Sequence, residues 1–133
     1  MMKGIDLSLL EITGLYAAIL AILLVAASIN VIRNRVKNEV DLGDGGKGVM
    51  LRAIRAQGNF IEYVPMALIL MLLLELNRES ATLLHGLGIT LVVGRLLHFY
   101  SIVGEKMPPR LAGMLCTFGV LLVGAGMLLR AVL

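Results

Sequence analysis

Long apolar stretches dominate the pattern along this chain, at roughly 12–32, 60–76, 81–103 and 111–133, separated by short polar breaks. Each approaches the ~20 residues an α-helix needs to cross ~30 Å of hydrocarbon. None alternates apolar and polar with the period of two that a membrane barrel strand requires. The pattern therefore predicts four transmembrane helices, near 10–34, 53–76, 80–103 and 109–132. The long connection falls at about 33–54, and the other two, near 77–80 and 104–110, are short. Short connections make consecutive helices antiparallel neighbours, so the expectation is an all-α integral membrane protein folded as one four-helix bundle.

Composition strengthens that reading. Hydrophobic residues make up 59% of the 133 residues, with mean hydropathy +0.92, above the usual apolar share of a soluble domain. The first apolar run is longer than the apolar core of a signal peptide, and Glu11 with the single Lys3 makes a poor basic front. An uncleaved first helix is expected. Cys116 is the lone cysteine, so no intrachain disulfide forms, and it reads as a small packing residue.

Net charge is only +3, which gives no ground for nucleic-acid binding. Its distribution says more. Arg33, Arg35, Lys37, Lys47, Arg52, Arg55, Lys106 and Arg110 flank the first and third connections, against Lys3, Arg78 and Arg130 at the other end. By the positive-inside rule those two connections are cytoplasmic and both termini lie outside.

Two glycine-containing motifs carry less than they promise. "DLGDGG" lacks the alternating carboxylates and terminal Glu of a calcium loop, and "GGKGV" lacks the ending of a phosphate-binding loop. It reads as a turn in which glycine supplies positive φ, and no metal site is expected. In the last span, Ala112/Cys116 and Gly113/Thr117 are small-xxx-small pairs that permit close helix approach in lipid, within the bundle or between subunits.

The candidate chemistry lies in the second helix. At 100° per residue, Arg52, Arg55, Asn59, Glu62 and Met66 fall within about 80° of one another, with Tyr63 beside them. A charge at the bilayer centre costs ~2.5–3.5 kcal/mol even on insertion scales, so the stripe must face protein or a wet cavity. Pro65 removes one helical hydrogen bond just beyond it and can open space beside Glu62. In the third helix, Arg95 and His98 share a face at i and i+3. Topology brings them to the depth of Glu62, while Arg110 opens the fourth helix and Arg33 and Arg35 close the first at the same end. Arginines outnumber the single acid, Glu62. Such an excess calls for an anionic ligand, entering from the cytoplasm beside apolar walls suited to a lipophilic partner.

The run "RAQGNFIEYVP", residues 55–65, resembles the signature of the MAPEG family, the membrane-associated proteins of eicosanoid and glutathione metabolism. That signature is an Arg-Ala-x-x-Asn-x-x-Glu run near the start of the second of four helices, here Arg55, Ala56, Asn59 and Glu62. The resemblance implies a homotrimer that binds glutathione between adjacent subunits near the cytoplasmic face. Arg55, Gln57, Asn59, Glu62 and Tyr63 would contact the tripeptide. Glu62 would hold its ammonium and the arginines its carboxylates, with Arg52, Arg95 and His98 belonging to the same anion site. Arg33 or Arg35 would match the family's helix-one arginine, and Arg110 the helix-four arginine near the sulfur. Where the family's synthases carry two tyrosines on helix three, this chain has His98 and Ile102.

The chemistry so implied is a transferase or peroxidase of the bacterial type, placed in the inner membrane. A free thiol of pKa about 8.5 is only a few per cent thiolate at neutral pH. Lowering it by two units takes about 2.7 kcal/mol, which a guanidinium in a water-poor site supplies. The thiolate would attack an electrophile dissolved in the bilayer. Two other classes fit less well. One is a non-catalytic membrane protein binding glutathione or lipid. The other is a small proton-coupled exporter built on Glu62, whose neighbouring arginines would repel cationic drugs.

Overall fold

A computed structural model of the chain describes residues 10–105 and 107–133. Lys3 and Lys106, counted above in the charge balance, lie outside the described residues. Four helices follow in order: α1 (Glu11–Asn38), α2 (Gly48–Leu76), α3 (Ala81–Val103) and α4 (Met107–Val132). All four are long and apolar enough to cross a membrane. Large apolar side chains such as Ile22, Leu96, Leu115 and Leu122 point outward, as lipid-facing positions do.

Two helix ends differ from the pattern's prediction. α1 runs on to Asn38 and α2 begins at Gly48, so the long connection shrinks to residues 39–47. Polar residues, invisible to a hydropathy reading, extend α1. The side-chain amides of Asn34 and Asn38 donate to the carbonyls of Asn30 and Asn34, each at 2.8 Å. Arg35 then donates to the Val40 and Gly43 carbonyls at 3.3 and 2.9 Å, and Lys47 Nζ donates to the Asn38 carbonyl at 2.9 Å. These cations satisfy carbonyls at the helix C-terminus and just beyond it. "DLGDGG" is the expected turn: Gly43, Gly45 and Gly46 have φ of 68°, 61° and 73°. The Gly46 N–H donates to Asp44 Oδ1 at 2.8 Å.

The core fills the half of the bundle away from that turn. Tyr16, Leu20, Val64, Met71, Leu74, Leu84, Leu91 and Val120 form one buried cluster. At its edge the Glu75 carboxylate accepts from the Ile12 and Thr13 N–H groups at 3.1 and 2.8 Å. α1 has no side-chain cap of its own at Leu10, so α2 supplies the acceptor that its first turn lacks. Nearby, Tyr16 Oη lies 2.8 Å from His85 Nδ1.

α3 and α4 meet through glycine. A Cβ on Gly113 would lie 2.6 Å from the Gly94 carbonyl oxygen and 2.8 Å from the His98 nitrogen. The two backbones therefore touch, and Thr117 one turn on is wholly buried. The small-xxx-small pair Gly113/Thr117 thus serves contact inside the bundle.

Candidate functional site

The polar stripe of α2 divides at its middle. Arg55 and Glu62 turn outward and pair directly, with Arg55 Nη2 donating to both carboxylate oxygens at 3.0 and 3.2 Å. Both side chains remain half exposed, at 49% each. Seven residues separate them, about 10 Å along the axis, so the arginine must lie flat along the helix. Gly58 makes room for it: a Cβ there would stand 3.0 Å from Arg55 Nη1.

Asn59, between them in sequence, turns inward. Its Oδ1 accepts from Arg95 Nη2 of α3 at 2.8 Å. Arg95 is only 2% exposed, and its other neighbours are neutral: Thr117 Oγ1 and His98 Nδ1, each at 3.4 Å, and the Phe60 ring at 5.6 Å. Its Nε–H has no acceptor among the described residues. His98 is 1% exposed and belongs to this inner layer.

A groove of about 380 Å³ opens between the start of α2, the end of α3 and the start of α4. Arg52, Arg55 and Arg110 line it, with Leu51, Ile102 and Met107 as apolar walls. Arg52 is held by Glu105 at 2.6 Å, an acid the sequence reading passed over because it lies in the third connection, outside any helical stripe. Ile102, expected from the resemblance to stand at a tyrosine position, is a wall of this groove.

The remaining candidates lie elsewhere in the same chain. Gln57 Nε2 donates to Ser28 Oγ at 2.8 Å and ties α2 to α1. Tyr63 packs edge-on against Phe118 of α4, with ring centroids 5.6 Å apart. Arg35 is spent on the turn carbonyls. Arg33 lines a second groove, of about 510 Å³, on the opposite side of Arg52. The structure thus gathers Arg52, Arg55 and Arg110 directly, joins Glu62 to them through Arg55, and sets Asn59, Arg95 and His98 behind. Among the described residues no group of His, Cys, Asp and Glu side chains is placed to hold a metal.

Comparison with known proteins agrees with this layout. The MAPEG family profile matches residues 13–130, all but the ends of the chain. The chain belongs to the MAPEG family. It is also 39% identical, over 112 residues, to the inner membrane protein YecN of Escherichia coli strain K12. The match covers 84% of this chain and 86% of YecN, and YecN of Escherichia coli O6:H1 strain CFT073 matches to the same extent. The Arg-Ala-x-x-Asn-x-x-Glu signature of this MAPEG chain is therefore distributed over two layers. Arg55 and Glu62 lie on the outer face, while Asn59 reaches the inner cation.

Proposed function

We propose that this MAPEG protein binds glutathione and uses its thiolate against lipophilic electrophiles or hydroperoxides. The observation that carries the reading is the convergence of Arg52, Arg55 and Arg110 on one groove, with Glu62 attached to it through Arg55. Glutathione has two carboxylates, one ammonium and a thiol. Glu62 is the acceptor for the ammonium, and Arg52 and Arg55 are donors for the carboxylates. Arg110 opens α4 beside the apolar wall of Ile102 and Met107, suited to stabilising a thiolate that faces the bilayer. In conjugation the sulfur lone pair forms a C–S bond and the leaving group departs with its electrons. With a hydroperoxide, sulfur takes the terminal OH and the alkoxide is protonated; a second glutathione then yields water and the disulfide.

We assign the working form as a homotrimer in the bacterial inner membrane, with the groove end cytoplasmic. The half-exposed Arg55–Glu62 pair is a poor surface to present to lipid, and a neighbouring copy would cover it. That copy could also bring Gln57, Tyr63 or Arg33 to the tripeptide. YecN's description as an inner membrane protein and the basic flanks of the first and third connections support the placement. An exporter built on Glu62 fits less well, because Arg52, Arg55 and Arg110 beside it would repel cationic drugs.

One observation favours binding without turnover: Ile102 offers the groove no hydroxyl where the synthases carry tyrosine. The deciding experiment uses purified protein, glutathione and chlorodinitrobenzene. Turnover together with thiolate absorbance on mixing supports the enzyme. Saturable glutathione binding with neither signal would assign the chain to the binding class, and absence of binding would overturn both.

A further inference from the structure

The connection between α3 and α4 reaches into the groove of Arg52, Arg55 and Arg110. α3 ends at Val103, and the Gly104 N–H donates to the Tyr100 carbonyl at 2.8 Å. Glu105 follows with φ of 57°, a region that residues with a Cβ populate sparsely. Its N–H reaches the Ile102 carbonyl at 3.4 Å, and its Oε1 lies 2.6 Å from Arg52 Nη1. The three arginines of the groove are therefore unequal. Arg55 is paired within its own helix by Glu62, Arg52 is paired by Glu105, and Arg110 has no carboxylate within ion-pair distance among the described residues. The two acids differ as well. Glu62 sits inside α2, and both its oxygens accept from Arg55 Nη2. Glu105 stands outside any helix, its side chain is 65% exposed, and Arg52 is its one ion-pair partner among the described residues.

We propose that Glu105 is a displaceable counter-ion, which holds Arg52 until a carboxylate of the incoming anion takes its place. The proposal rests on the reading of this groove as the glutathione site and adds a control on entry to it. An exposed ion pair is weak, because water screens it and two long side chains must be ordered to make it. A guanidinium–carboxylate pair enclosed by a bound ligand is stronger. Two carboxylates on one guanidinium repel each other, so Glu105 and the ligand compete for Arg52. Glu105 can withdraw without leaving a buried contact, since it lies on a connection and faces solvent. The competition discriminates among anions. A small anion that meets only Arg52 must displace Glu105 unaided. A tripeptide already anchored at Glu62 and Arg55 presents its second carboxylate to Arg52 at high effective concentration, and exchange then runs in its favour.

The test uses the full chain in mild detergent and two readouts. By calorimetry, Glu105→Gln is expected to bind glutathione about fivefold more tightly than the parent, about 1 kcal/mol, with a gain that shrinks as salt is raised. In an Arg52→Gln background the same substitution should change nothing, because the group competed for is gone. Unchanged or weaker binding by Glu105→Gln overturns the proposal; weaker binding would make Glu105 a residue that positions Arg52. An equal gain with and without Arg52 also overturns it and reduces Glu105 to general repulsion. The second readout needs no glutathione: modification of Arg52 by phenylglyoxal, mapped by peptide mass spectrometry, with inorganic sulfate as the protecting anion. Arg52 should react about fivefold faster in Glu105→Gln and be protected at lower sulfate concentration. Arg130, in the last turn of α4, should react alike in both proteins. Equal reactivity of Arg52 in parent and variant overturns the proposal. If the parent binds no glutathione while sulfate and Glu105 still compete for Arg52, the functional reading fails and the counter-ion stands.

Discussion

The two ends of the bundle treat their polar groups oppositely. At the end near Leu10, Glu75 is buried and both its oxygens accept backbone N–H groups, while Tyr16 and His85 bind each other. At the other end, the cations of Arg33, Lys37, Arg52, Arg55 and Arg110 line open grooves, and among the described residues only Glu62 and Glu105 pair with any of them. Buried polar groups that satisfy one another hold a structure together. Exposed cations in surplus do not; they leave donors free for an anionic ligand such as the one proposed above.

That contrast can be broken from either side. The largest effect is expected at neither end but at the contact between them: Gly113→Leu would drive a side chain into the Gly94 carbonyl and the His98 backbone. Overpacking of this kind costs ~1–3 kcal/mol or more, and thermal unfolding in detergent should show a destabilised or misassembled protein. Next, Arg55→Ala should lower glutathione affinity by about tenfold, measured by calorimetry, with little change in melting temperature. That magnitude follows from a charged hydrogen bond of ~1.5–3 kcal/mol, discounted because the pair is half exposed. Glu75→Gln should do the reverse, costing ~1–2 kcal/mol of stability through the weakened acceptor at the start of α1 while leaving glutathione affinity unchanged. Smallest is Ser28→Ala, which removes the acceptor for Gln57 and should cost ~0.5–1.5 kcal/mol. If Glu75→Gln altered glutathione affinity more than Arg55→Ala did, the division between the two ends would be wrong.

The spans were legible because burial in lipid imposes a length on apolar runs, and runs such as 81–103 carry it openly. The ends of α1 and α2 were less so. They are set by amides and guanidiniums reaching back to carbonyls, as Asn38 and Arg35 do, and a polar sequence looks the same whether helical or not. The stripe on α2 was legible as an arc but its partition was not. An arc of about 80° straddles the line between interior and outer face. Which side Asn59 takes depends on Arg95 from another helix. The Arg52–Glu105 pair was hidden for a related reason, since it joins two elements whose approach no local pattern encodes.

Gly58 bears on how the chain reaches the bilayer at all. By letting Arg55 lie along α2 and meet Glu62, it gives one helix a cation and its counter-ion on the same surface. The charges of α2 are then partly neutralised from the moment the helix forms, before α3 and α4 have been synthesised. An isolated segment with both charges splayed apart would carry the full insertion penalty of each. Gly58, at a position the signature leaves open, therefore also bears on membrane entry in this chain: it lets one helix carry a cation and its counter-ion together.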